Sequence, residues 1–145
     1  MKITADTNVL VRAVVRDDLE QARAAAKVLK GASVIAVSVP CLCEFVWVLR
    51  RVYGLTAADI ASAIRTLLAT ESVHADDDLA EAGLRMLEAG GDFADAVIAE
   101  EGARRGGDIF VSFDKKAVAL LTQQGYSARL LKKNRAHPPH ERTRM

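Results

Sequence analysis

Residues 33–51 read SVIAVSVPCLCEFVWVLRR, and their order decides the fold class. The first seven, SVIAVSV, are rich in β-branched residues and predict a buried strand. Pro40 then suits the first turn of a helix, where its missing N–H is not needed. The run that follows it continues to a stop at Gly54. A short apolar strand passing directly into a helix is the unit from which parallel α/β sheets are built.

The same alternation extends in both directions. Upstream, residues 2–5 (KITA) predict a short strand and 9–15 (VLVRAVV) an apolar segment with helical spacing. Residues 17–30 predict a helix with acids early and lysines late, ended by Gly31. Downstream, TAAD at 56–59 opens a helix to about Thr70, and 76–89 form another, closed by Gly90 and Gly91. DFAD at 92–95 begins a helix that ends at Gly106 and Gly107. A strand is expected at 109–113, a helix at 115–124 ended by Gly125, and a last strand at 127–131. The expectation is an α/β fold with a mainly parallel sheet flanked by helices, in one domain over 1–131. Residues 132–145 lose the apolar periodicity and carry basic residues, so they predict a flexible tail.

Formal net charge is only +1, so any case for a nucleic-acid partner must rest on local charge. No apolar run approaches the roughly 20 residues of a membrane span. No basic region followed by an apolar core opens the chain, so a cytoplasmic protein is expected. Cys41 and Cys43 are the only cysteines, and at i and i+2 on a helix they point apart. Two free thiols are expected, and too few for a thiolate zinc site. His74, His137 and His140 are scattered, and each reads as a surface residue.

The carboxylates are more informative. Asp6 follows the first strand, Asp114 follows the strand IFVSF, and Glu44 lies just past SVIAVSV. Ligands of open parallel sheets bind at the carboxyl ends of the strands. Asp95, in the first turn of the helix from Asp92, belongs to the same edge if the layout is regular, although no clear strand precedes it. Asp6 and Asp114 each also fit a helix cap, and Asp92 fits one best. Glu44 has Leu42, Phe45, Val46, Trp47, Val48 and Leu49 around it in sequence, which predicts a buried carboxylate in need of a cation. Four converging acids repel one another unless a divalent cation sits among them. Oxygen ligands alone favour Mg²⁺ over zinc or iron. Such a site suits phosphoryl chemistry. Arg12, Arg16, Lys115 and Lys116 flank the acids and can hold phosphates.

DTNVL, PCLCEFVWVLRR, DFADAVIA and FVSFDKKA, in that order, resemble the PIN-domain ribonucleases, and most nearly the VapC toxins of bacterial toxin–antitoxin pairs. The resemblance runs from Lys2 to about Leu131 and implies a three-layer fold with a central, mainly parallel sheet. It implies that Asp6, Glu44, Asp95 and Asp114 form an acidic quartet. Asp6 and Asp95 would be the primary ligands of Mg²⁺ or Mn²⁺, with Glu44 and Asp114 completing the site directly or through water. Thr7 or Asn8 would orient a carboxylate or a water, and Asp92 would support from behind. The implied activity is metal-dependent cleavage of RNA, often of structured RNA such as tRNA. The implied partners are a second copy in a homodimer and an antitoxin whose basic side chain reaches the acids.

Three other readings compete. An aspartyl-phosphate phosphotransferase needs a second acid two residues after the nucleophile, and Asn8 stands there. A phosphoacceptor receiver domain needs an acidic pair before a first helix, which is missing. A catalytically inactive PIN-like binding module is opposed by the intact quartet.

Overall fold

The computed structural model describes residues 1–132, so the predicted tail lies outside the described residues except for Lys132. In chain order the elements are β1 (Lys2–Thr4), α1 (Thr7–Val14), α2 (Leu19–Gly31), β2 (Val34–Ala36), α3 (Val39–Arg51) and α4 (Ala57–Ala69). There follow β3 (Val73–His74), α5 (Asp77–Glu88), α6 (Phe93–Arg104), β4 (Phe110–Ser112), α7 (Lys115–Gln123) and β5 (Ala128–Leu130).

Every strand pairing is parallel, as an α/β fold with helical crossovers requires. β2 lies between β1 and β3, with Ile3 opposite Ile35 and Ile35 opposite Val73. β4 pairs separately with β5, Val111 opposite Arg129. The expected parallel sheet is therefore present as a three-stranded ladder and a two-stranded one. β3 was not expected, because two residues are too few to leave an alternation in the sequence.

Side chains fix where the helices start. Asp18 accepts from the Gln21 N–H at 3.0 Å, Thr56 from Asp59 at 3.1 Å and Asp76 from Leu79 at 3.1 Å. Each such cap contributes about 1 kcal/mol. Ser38 does the same for α3, accepting from the Cys41 N–H at 3.3 Å. That cap moves the helix start to Val39 and leaves Pro40 within the first turn, where it is tolerated.

The apolar faces close over two cores. The larger joins Ile35 of β2, Phe45 and Leu49 of α3, Ile60 and Ile64 of α4, and Leu84 of α5. The smaller joins Met86 of α5, Ala96 and Ala99 of α6, and Ala117 and Leu121 of α7. α5 thus serves both cores from different faces. It packs extensively on α6 as a helical hairpin, in which the start of α5 meets the end of α6. Gly83 permits that approach, since a Cβ there would lie under 3.0 Å from three atoms of the Phe93 ring. Gly90, at φ +93°, makes the turn after α5, a conformation that L side chains rarely adopt. Among the described residues no helix is long and apolar enough to cross a membrane.

Candidate active site

A cleft of about 590 Å³ opens between α3, the α5–α6 connection and the start of α7. Glu44, Asp92, Asp95 and Asp114 line it, and so do Arg50, Arg51 and Lys116. Trp47 and Cys43 complete its α3 wall. Residues distant in sequence meet there because α3, α6 and α7 each present a helix start or an exposed helix face to one opening.

Two of the acids are also helix caps. Asp92 accepts from the Ala94 N–H at 3.0 Å, and Asp114 accepts from the Ala117 N–H at 3.1 Å. The Asp114 N–H is itself held by Ser112 Oγ at 2.9 Å, which fixes the turn out of β4. A cap bond occupies one carboxylate oxygen and leaves further acceptor capacity toward the cleft. Asp95, half-buried in the first turn of α6, makes no side-chain hydrogen bond among the described residues. Burial pushes its carboxyl up, and the neighbouring charges of Asp92 and Asp114 push it further the same way.

Asp6 does not line this cleft. It stands at the N-cap of α1, exposed, with extended backbone, yet its side chain makes no cap bond. That sets it apart from Asp18, Asp76, Asp92 and Asp114, which all spend an oxygen on capping. Asp6 and Glu44 both lie within electrostatic reach of the Cys41 thiol, which burial and these two charges push up. Cys41 is buried and donates to the Ala5 carbonyl at 3.6 Å.

Several expectations need correcting. Glu44 is exposed, so no desolvation argument holds for it. Leu42, Phe45, Val46 and Leu49 are buried on one face of α3, while Glu44, Trp47, Arg50 and Arg51 share the other. Thr7 is buried, and its hydroxyl donates to Cys41 Sγ at 3.7 Å, not to a carboxylate. Asn8 is exposed and makes no side-chain hydrogen bond among the described residues. Arg12 is committed to Asp17, with which it forms a close ion pair, and donates to Tyr53 Oη at 3.0 Å. It ties α1 to the end of α3 and has no place in the cleft. Of the predicted cations only Lys116 lines the opening, whereas Arg50 and Arg51 were missed as cleft residues. Both cysteines are free, Cys41 buried and Cys43 half-buried. His74 is exposed, and His137 and His140 lie outside the described residues.

Among the described residues no three of the Asp, Glu, His or Cys side chains stand close enough to form a metal shell by themselves. Asp95 with Asp114 fits a different mode, in which Mg²⁺ keeps several waters and takes one or two carboxylates. The donor set is oxygen only and carries negative charge that no cation among the described residues neutralises by an ion pair, which suits a hard divalent ion.

The profile of the PIN domain matches residues 3–120, which span α1 through most of α7 and all the acids just described. A search among curated proteins returns no significant match. PIN domains are generally nucleases and typically use divalent metals. With its parallel strands, its helical crossovers and a match over most of its length, the chain belongs to the PIN domain family.

Proposed function

We propose that this protein is a divalent-metal-dependent endoribonuclease that acts as the toxin of a toxin–antitoxin pair, of the VapC type. The observation that carries the reading is one cleft holding Glu44, Asp92, Asp95 and Asp114 together with Arg50, Arg51 and Lys116. Among the described residues, these carboxylates have no cation partner and these cations no ion pair, and the two together match a phosphodiester and a metal ion better than either alone.

Asp95 and Asp114 would hold Mg²⁺ or Mn²⁺ through one or two carboxylate contacts, with Asp6 and Glu44 completing the quartet directly or through water. When bound, such an ion lowers the pKa of a water and offsets charge that builds on the scissile phosphate. The chain's own groups do the rest. Asp92 holds the first turn of α6, and so the position of Asp95, through its bond to Ala94. Glu44, a solvent-facing member of the quartet, orients the attacking water and takes its proton at a carboxylate oxygen. Arg50, Arg51 and Lys116 draw the substrate backbone in, as a local basic patch can on a chain of net charge +1. A homodimer and an antitoxin whose basic side chain enters the acidic cleft complete the proposal.

Purified protein with Mg²⁺ or Mn²⁺ is expected to cleave RNA, and Asp6→Asn to nearly abolish cleavage. Full activity in that variant, with contaminating nucleases excluded, would sink the reading. For the toxin role, expression should arrest growth, and co-expression of a small adjacent reading frame should relieve the arrest.

A further inference from the structure

Trp47 is the only tryptophan of the chain, and it is 57% exposed on the wall of the acidic cleft. Bulky aromatic side chains usually lie mostly inside, as Phe45 and Phe93 do at 2% and 1% exposed; Phe113, at 62%, is also open but does not line the cleft. No packing need explains the indole's position, because the α3 face toward the core is already filled by Leu42, Phe45, Val46 and Leu49. Its neighbours on the exposed face are chemically specific. Glu44 is one turn before it, and Arg50 and Arg51 are one turn after it, at i+3 and i+4. All four line the same opening. Neither arginine forms an ion pair among the described residues.

An open aromatic face with free guanidinium groups one turn away is the recognition chemistry of unpaired nucleotides. The base stacks on the ring and its phosphates meet the cations. A helical turn is about 5.4 Å, so a base on Trp47 stands within one nucleotide of Glu44. Bases inside a duplex are stacked on each other and cannot offer a free face.

We propose that Trp47 is the stacking platform for an unpaired nucleobase of the RNA substrate, next to the bond that is cut. This rests on the ribonuclease reading for its function, but its binding test does not. The lone tryptophan makes the test direct. In buffer with chelator and no divalent metal, a short single-stranded oligoribonucleotide should quench the intrinsic fluorescence. A blunt RNA duplex of equal length and charge should leave it nearly unchanged. Trp47→Ala should weaken single-strand binding, followed by the anisotropy of a labelled oligonucleotide, by roughly 5- to 150-fold. Trp47→Phe should restore most of the affinity. An unchanged melting temperature in Trp47→Ala shows that the loss is not unfolding.

Equal affinity in Trp47→Ala and wild type would overturn the proposal, as would equal quenching by the duplex. A blue shift of the fluorescence on concentrating the protein alone would assign this face to a second copy of the chain and overturn it too. Quenching and the Trp47→Ala loss in a protein that never cleaves RNA would uphold the platform while sinking the nuclease reading. Normal cleavage with no change in fluorescence would do the reverse.

Discussion

The two ends of the α5–α6 hairpin carry the same residue type in opposite electrostatic states. At one end, Asp76 caps α5 and takes two hydrogen bonds from Arg104, at 2.6 and 3.1 Å. The guanidinium bonds, the Leu79 N–H and the Arg104 charge hold the Asp76 carboxyl down at about 2. At the other end, Asp92, Asp95 and Asp114 meet with no arginine or lysine among the described residues ion-paired to them, and Asp95 is pushed up by burial and by the charges of Asp92 and Asp114. Asp76 is an acid placed to hold two helices together. Asp95 is an acid that no described residue compensates at the edge of a cleft, an arrangement that weakens the fold unless a cation neutralises it. The two sets of carboxylates are thus distinguished by their partners, not by their type or helix position.

The largest expected effect falls at the open end. Asp95→Asn should lower RNA cleavage by more than the roughly 10- to 100-fold lost when a metal ligand's hydrogen-bonding partner is removed. Initial rates in Mn²⁺ check it. Next comes the packing that holds the two ends in register. Gly83→Ala drives a methyl into the Phe93 ring, so unfolding in urea should show a loss of roughly 1–3 kcal/mol. A wild-type midpoint in that variant would mean that α5 and α6 are not pressed together as described.

The smallest effects compare the two ends directly. At neutral pH, Asp76→Asn keeps a capping oxygen but loses the ion pair, so the melting temperature should fall modestly, as expected for a partly exposed pair. The folded pKa of Asp76 is depressed, so its contribution is present above the unfolded value of 3.8 and is lost as pH falls toward about 2. The difference between variant and wild type should therefore vanish in strong acid. Asp95 has the opposite sign. Its folded pKa is raised, so the folded chain binds the extra proton, and stability falls as pH rises from the ordinary carboxylate range through the raised value. Melting scans across that range, on Asp95→Asn and wild type, should show the two curves separating as pH rises.

Much of this was legible in the sequence, and the misreadings have physical causes. The strand-to-helix passage at 33–51 carried the fold class because β-branched composition and a proline at a helix start are local signals. Asp92 as a cap was equally local. Glu44 was misread as buried because its sequence neighbours are apolar. On a helix the neighbours in space are three and four residues away, and a 3.6-residue period puts Glu44 with Trp47 and Arg51. The same period would have brought Arg50 and Arg51 forward as cleft cations in place of Arg12. The commitment of Arg12 to Asp17 and Tyr53 could not be read, since Tyr53 is distant in the chain and comes near only through packing. Nor could the missing cap bond of Asp6, because residue type allows that bond and only geometry withholds it.

One variant examined in two ways tests the central claim that the acids at the open end are kept for cation and RNA at the expense of the fold. Asp95→Asn, assayed for RNA cleavage in Mn²⁺ and melted in chelator, should lose nearly all activity and melt higher than wild type at neutral pH. Mn²⁺ should raise the melting temperature of wild type and leave that of the variant almost unmoved. Retained cleavage, or a variant that melts lower in chelator and still responds fully to Mn²⁺, would contradict the account.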